Sequence, residues 1–126
     1  MGRMHGEATL LRIYLGENDR HGGRPLHQEI VRLARELGLA GATVVRGVLG
    51  YGARSVIHSA HILRLSEDLP LVIEIVDERE RLEPFLAQAG AMIDTAGCGS
   101  LMTLEKVEVI RYRAGETQPD LDPTTR

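Results

Sequence analysis

The chain has 126 residues, of which 43% are hydrophobic and 26% charged, and this is the composition of one ordinary globular domain, not of a disordered chain. No stretch approaches the roughly 20 consecutive apolar residues of a membrane-spanning helix, and no apolar signal run follows residues 1–6, so we expect a cytoplasmic protein. The net charge is −3 at pH 7, the basic residues form no block and tryptophan is absent, which disfavours nucleic acid as a partner.

The first part of the chain predicts a strand, a helix and a second strand. In residues 8–15, large aliphatic side chains recur at every second position, as in a strand, and a polar, turn-rich segment follows. Pro25 suits the first position of a helix and Gly38 is a natural helix stop. Between them lies an apolar stripe of Leu26, Ile30, Leu33 and Leu37. Residues 42–49 are rich in β-branched side chains and predict the second strand.

The middle of the chain predicts a long loop that leads into a buried strand. Residues 53–68 are polar at both ends and predict a loop, with a short strand or turn near residues 62–65. Residues 71–76 are nearly all apolar, which is typical of a central strand. Asp77 and Glu80 follow it with the spacing of a capping box, so a second helix should begin here.

The last part predicts this second helix, a glycine loop and a final strand. The helix has an apolar stripe of Leu82, Phe85, Leu86, Ala89 and Ile93. Pro84 conflicts with it, because proline removes a backbone hydrogen bond, so we expect either a kink or a regular helix that starts near Glu83. Residues 96–100 form a tight glycine loop, and residues 101–113 predict a long strand.

The order β-α-β-loop-β-α-β predicts an α+β, ferredoxin-like fold, with a four-stranded antiparallel sheet and two helices on one face. We expect this domain to span residues 8–114, between an N-terminal extension, residues 1–7, and a flexible C-terminal tail, residues 115–126. One sheet face has no helices. We expect it to carry Val44, Val48, Val72 and Val76. An uncovered apolar face favours aggregation, so packing against copies of the same chain predicts a closed oligomer.

Two features suit an anion. Arg111 and Arg113 are two apart on the predicted last strand, so they should point to the same side, roughly 7 Å apart, and could clamp phosphate oxygens. The alternative is a solvated strand end with surface salt bridges. Gly97 and Gly99 could let backbone N–H groups turn toward a phosphate. Their alternative is a helix stop followed by a turn.

A second glycine pair, Gly50 and Gly52, stands at the root of the long loop. These glycines give room for a flat ring or a phosphate, and a loop of about 16 residues in a compact domain is often functional. The alternative is a turn that ends the strand.

The histidines and the single cysteine are weaker candidates. His58 and His61 are three apart and could share a helical face as a metal pair, but two solvated loop histidines are the simpler interpretation. Cys98 cannot form an internal disulfide, and it could be a nucleophile, although no base lies beside it in the sequence.

Three stretches give the chain a resemblance to a known family. They are residues 11–17, residues 47–52 together with His58 and residues 65–70, and residues 107–113. Over residues 8–114 the chain resembles the PII signal-transduction proteins, and more closely the PII-like proteins. The middle stretch, with its Gly50-Tyr51-Gly52, is the more specific signal for the PII-like group.

The resemblance implies a regulatory homotrimer, not an enzyme, that holds an adenine nucleotide in the clefts between subunits. Gly50 and Gly52 match the root of the family's T-loop. Gly97 and Gly99 approximately match its B-loop, and Arg111 and Arg113 match the two arginines that bind phosphates. The resemblance implies no metal site and no tightly bound cofactor.

Three departures from the PII pattern reduce the number of ligands and functions that we expect. Ser100 and Leu101 follow the B-loop glycines, where ATP-binding PII proteins usually have a lysine, so ADP or AMP is favoured over Mg-ATP. Ala53 and Arg54 follow the loop root in place of a glutamine that helps to hold magnesium and 2-oxoglutarate. Tyr51 lies at the loop root and is no counterpart of the modified T-loop tyrosine. We therefore expect neither 2-oxoglutarate sensing nor uridylylation.

The leading hypothesis is a nucleotide sensor whose loop, residues 53–68, becomes ordered and controls a partner protein, with a membrane transporter as one candidate. One alternative is a small oligomeric enzyme that uses Cys98 or the pair His58 and His61. A second alternative is a divalent-metal binder of the CutA-like kind.

Overall fold

In a computed structural model, residues 5–51, 58–59 and 68–115 are described, the pair 58–59 by its backbone alone. The elements in chain order are β1 (Gly6–Gly16), β2 (Arg20–His21), β3 (Arg24–Pro25), α1 (Leu26–Glu36), β4 (Thr43–Arg46), β5 (Leu49–Gly50), β6 (His58–Ser59), β7 (Pro70–Asp77), α2 (Arg79–Ala96) and β8 (Leu101–Val109). Within these residues, no helix is both long and apolar enough to cross a bilayer.

Four of the strands form one antiparallel sheet in the order β4-β7-β1-β8. The central strand β1 pairs with β7 on one side and with β8 on the other, and β4 pairs with β7. This order follows from two interleaved β-α-β halves, so the predicted ferredoxin-like α+β fold is confirmed.

The core lies between the sheet and the two helices. Alternate residues of β1 and β7 point toward the helices, because successive side chains of a strand face opposite sides. The buried core comprises Leu11, Ile13, Leu15, Leu26, Ile30, Leu33, Ala34, Ile73, Ile75, Leu82, Phe85, Ala89 and Ile93. Each large aliphatic or aromatic side chain buried in this way contributes about 1.5–3 kcal/mol. The predicted stripes are confirmed, with Leu37 and Leu86 partly buried at the edge of the core.

Helix α1 ends in the way that its sequence predicts. Gly38 has a φ of 74°, in the left-handed region that glycine adopts without strain. The Gly38 N–H donates to the Arg35 carbonyl at 3.1 Å and the Leu39 N–H to the Ala34 carbonyl at 3.0 Å. These two bonds are the Schellman pattern, which satisfies carbonyls at the end of a helix. Pro25 precedes the first helical residue and does not occupy it.

Helix α2 differs from both predictions for its start. It begins at Arg79 and continues through Pro84 to Ala96, so the alternative start near Glu83 is wrong. The capping box is wrong as well, because the cap residue is Glu78 and no side chain caps the helix. The fully buried Asp77 carboxylate instead accepts the Glu78 N–H at 2.7 Å and the Ala40 N–H at 2.9 Å. Asp77 therefore ties the segment after α1 to the end of β7.

The sheet face away from the helices is called the open face. It includes Leu10, Arg12, Tyr14, Val45, Val72, Glu74, Val76, Leu101, Thr103 and Glu105. Val72 and Val76 lie on it as predicted. The placement of Val44 is wrong, because it pairs with Ile73 on the helix side, and a one-residue change of register reverses every side chain. Val48 lies beyond β4 and is also not on this face.

A charged cluster occupies the middle of the open face. The Arg12 guanidinium lies 3.0 Å from the Glu74 carboxylate and 3.1 Å from the Glu105 carboxylate. The hydrogen bond to Glu74 is the main cause that raises the pKa of Arg12 above its ordinary value. Arg12 therefore stays charged over the whole physiological range.

Candidate functional site

The chain segment that leads from the sheet into the long loop packs closely against Pro70. A Cβ atom on Gly47 would lie 2.9 Å from Pro70 Cγ, and one on Gly50 would lie 3.2 Å from the same atom. The Gly47 N–H donates to the Pro70 carbonyl at 2.7 Å. Close approach of the two chain segments thus requires glycine at position 47 and leaves little room for a side chain at position 50, which is a structural role at the position predicted for the loop root.

The returning end of the loop is fixed to the turn after β1. The Asp68 carboxylate accepts the Asn18 N–H at 2.7 Å, and the Leu69 carbonyl accepts the Glu17 N–H at 2.8 Å. Glu17 also forms an ion pair with Arg46 at 2.5 Å, at the end of β4. We call residues 46–50 and 68–70 the loop root, because both ends of the loop are held here against one turn.

The predicted second strand, residues 42–49, is divided at the loop root. Only Thr43–Arg46 joins the main sheet, and Leu49–Gly50 pairs instead with His58–Ser59 in a separate ribbon. Three large apolar side chains are more than 60% exposed here, Val48, Leu49 and Tyr51. Exposed apolar groups at this density indicate a surface that contacts another molecule.

The glycine loop between α2 and β8 ends the helix. Gly97 has a φ of 70°, and its N–H donates to the Ile93 carbonyl at 3.0 Å and to the Asp94 carbonyl at 3.1 Å. The Gly97 N–H is thus engaged within the protomer, while Gly99 and Ser100 are exposed. Cys98, which lies between Gly97 and Gly99, is half-buried and packs against the core.

Arg111 and Arg113 lie past the last strand. The predicted strand over residues 101–113 is wrong beyond Val109, because Val109 pairs with Gly6, the first residue of β1, and β1 offers no partner further on. Both arginines are exposed. Tyr112 between them is half-buried, and its hydroxyl donates to the Ala40 carbonyl at 3.4 Å. Sequence reasoning missed Tyr112, although the Arg-Tyr-Arg alternation was its signal.

The structure does not bring the predicted residues together within one protomer. The loop root lies at the end of the sheet where β1 ends and β7 begins, whereas Arg111 follows Val109 at the opposite end. β1 has 11 residues, so the two ends are roughly 35 Å apart at about 3.3 Å per residue. Gly97 lies at the same end as the loop root, next to β8 at the other sheet edge, two strands away.

Several predicted residues lie partly or wholly outside the described part of the chain. Gly52, His61, Ala53 and Arg54 lie outside the described residues, as does the predicted turn near residues 62–65, and of His58 only the backbone is described. Within the described part of the chain, no group of three histidine, cysteine or carboxylate side chains could hold a metal ion.

Comparison with known proteins identifies the family. DUF190, a family described as uncharacterized ACR, COG1993, matches residues 8–109. A UPF0166 protein from Aquifex aeolicus is 39% identical over 101 residues, which are 80% of this chain and 91% of that protein. The chain belongs to the DUF190 family. A UPF0166 protein from Methanocaldococcus jannaschii is 37% identical over 91 residues, which are 72% of the DUF190 chain and 83% of the relative.

Two solved structures that are similar in fold to this DUF190 protein are those of PII-like proteins. One is CPII, a nitrogen regulatory PII-like protein from Thiomonas intermedia, solved with ADP, AMP and bicarbonate. It has a TM-score of 0.64 at 17% identity, over 83% of this chain and 90% of CPII. A PII-like signaling protein from Thermus thermophilus has a TM-score of 0.59 at 17% identity, over 83% and 91%. The predicted PII-like resemblance is therefore confirmed at the level of the fold.

Proposed function

We propose that this DUF190 protein is a homotrimeric regulator that binds ADP or AMP in the clefts between its subunits. The observation that carries the proposal is the separation of the anion-suited features. The exposed pair Arg111 and Arg113 lies at one end of the sheet, and the loop root lies at the other. A neighbouring copy supplies the missing half of each site, which explains why one protomer holds none.

The open face supports assembly of copies. Tyr14, Val45 and Leu101 are 37%, 49% and 56% exposed there. A monomer that displays such a face is prone to aggregation, and a closed symmetric oligomer removes it from water.

The chemistry of the arginines supports a phosphorylated ligand. Each guanidinium presents a planar fork of donors that matches phosphate oxygens and is charged at any physiological pH. The glycines at the loop root, Gly50 and Gly52, and those after α2, Gly97 and Gly99, line the same cleft in the proposal. The structures of CPII with ADP and AMP support an adenine nucleotide as the effector. The proposal includes no tightly bound cofactor.

The nucleotide acts as a switch in this proposal. When it binds at the loop root, it orders residues 53–68, and the ordered loop presents or hides a surface for a partner protein, with a membrane transporter as one candidate. The switch requires that ADP bind the two loop states with different affinity. Hydrogen exchange of residues 53–68 with and without ADP measures this, and equal exchange in both samples would contradict the switching step.

Calorimetry with ADP, AMP and Mg-ATP tests the binding step. Wild type should bind ADP or AMP, and Arg111→Ala should weaken binding by roughly tenfold to a hundredfold, since a hydrogen bond to a charged group contributes about 1.5–3 kcal/mol. Arg35→Ala removes an exposed cation from α1 and is the matched control, with affinity unchanged. Absence of binding heat for all three nucleotides would overturn the proposed function.

A further inference from the structure

We propose that Tyr112 is a positioning residue that aims Arg111 and Arg113 at the bound phosphates. The inference rests on the proposed function, since it concerns the arginines of that site. It assigns a role to a side chain that touches no ligand itself and acts through its two neighbours.

The backbone of this segment has no support from the sheet. The last pair of the sheet joins Val109 to Gly6, and residues 110–113 continue past the first residue of β1. Ile110 is 88% exposed, and Arg111 and Arg113 are exposed as well. Within the described residues, the hydrogen bond that ties this segment to the rest of the protomer is made by the Tyr112 side chain.

Tyr112 reaches across the end of the sheet to the segment between α1 and β4. Its hydroxyl donates to the Ala40 carbonyl at 3.4 Å, which is long for a hydrogen bond, and the side chain is half-buried. We therefore expect the half-buried ring to contribute more to the anchor than the hydroxyl does.

The anchor point is itself firmly held. The Ala40 N–H donates to the buried Asp77 carboxylate at 2.9 Å, and the Arg81 guanidinium donates to the Gly38 carbonyl at 2.7 Å. These bonds connect the Ala40 segment to the end of β7 and to α2. The Tyr112 hydroxyl thus bonds to a segment that is itself held in place by other elements of the fold.

One inward side chain sets the direction of both of its neighbours. Arg111 and Arg113 are exposed and Tyr112 between them is half-buried, so we infer that both arginines point away from the side on which Tyr112 is anchored. The common direction that the predicted strand would have given is supplied here by the tyrosine. Two arginines aimed in advance lose less conformational entropy when they bind than two on a free segment.

Substitutions at Tyr112, measured by calorimetry with ADP on the intact protein, test this role. Tyr112→Phe keeps the ring and should stay within about threefold of wild type, whereas Tyr112→Ala should bind roughly tenfold more weakly. The salt dependence should be equal in the two variants, because the number of cations is unchanged. The backbone order parameters of residues 110–113, measured by NMR relaxation, should be lower in Tyr112→Ala than in wild type. Ile110→Ala, two residues earlier in the chain and exposed, is the control and should match wild type.

The outcomes separate this inference from the function on which it rests. If wild type binds neither ADP nor AMP, the proposed function fails, and the backbone order parameters of residues 110–113 alone then decide whether Tyr112 is the anchor. If Arg111→Ala loses binding while Tyr112→Ala binds like wild type, the positioning role is wrong. If circular dichroism shows Tyr112→Ala to be unfolded, Tyr112→Leu, which keeps part of the apolar bulk but not the ring, replaces it, with an expected loss of affinity between those of Tyr112→Phe and Tyr112→Ala.

Discussion

The two ends of the sheet hold their functional candidates in different ways. At the loop root, several restraints act together, and two of them are backbone hydrogen bonds: Gly47 bonds to Pro70, and the returning chain bonds to the turn after β1. At the opposite end, among the described residues, the segment that carries Arg111 and Arg113 is attached through one side chain. At the loop root, where two backbones are in close contact, few substitutions fit. In the segment that a side chain anchors, the position of the arginines depends on that one residue, and substitutions there can change it by small steps.

The largest effect on stability should come from Asp77, which holds the Ala40 segment to which Tyr112 bonds. Asp77→Ala leaves the Ala40 and Glu78 N–H groups of a fully buried site without their acceptor, and we expect a loss of about 3–5 kcal/mol in the free energy of unfolding. Chemical denaturation measures it. Asp77→Asn keeps an acceptor for one of the two N–H groups and turns an NH2 donor toward the other, so its loss should lie between wild type and Asp77→Ala. A loss below about 1 kcal/mol in Asp77→Ala would show that this carboxylate does not hold the end of the sheet.

A smaller effect is expected at the loop root. Gly47→Ala places a methyl group 2.9 Å from Pro70 Cγ, so the two segments must separate, at a cost of about 1–3 kcal/mol. Thermal unfolding measures this loss. Gly41→Ala is the control, because its Cβ would meet no atom within 4 Å. If both variants melt at the same temperature, the loop root is looser than its contacts indicate, and the contrast between the two ends disappears.

The last prediction concerns the open face of the sheet, between the two ends. Its effect on folding should be the smallest of the three, but it should change the association of subunits. Arg12→Met leaves the Glu74 and Glu105 carboxylates without their shared cation on the face proposed to be covered. We expect association to weaken by at least roughly tenfold, because an uncompensated charge is then buried at an interface. Light scattering across a dilution series measures it. Lys106→Met removes a highly exposed cation and is the control; equal behaviour of both variants would place the interface elsewhere.

The sequence predicts the architecture because its periodicity reports which side chains are buried. The alternation in β1 and the two helical stripes identify the core, and Gly38 identifies the end of α1 through its backbone freedom. These signals are local, so they can be read without knowing the partner strands.

The errors arise where the outcome depends on a distant segment. Whether Val44 or Val45 faces the helices is decided by pairing with β7, and the end of β8 is decided by where β1 begins. The Asp77 carboxylate fits the capping pattern but binds the Ala40 N–H, 37 residues earlier in the chain. The assignment of the nucleotide site needs a further step, because its parts lie at opposite ends of one protomer.

The two ends of the long loop are held next to each other, and this has a consequence for how the loop can change in length and sequence. Since Gly47, Pro70 and Asp68 close the loop at its base, the entropy of closure changes little with the number of residues between them, by about 0.6 kcal/mol for each doubling. Insertions, deletions or whole exchanged segments between residues 51 and 68 are therefore compatible with an unaltered scaffold. Such a base allows new specificities to be grafted while the rest of the domain is conserved.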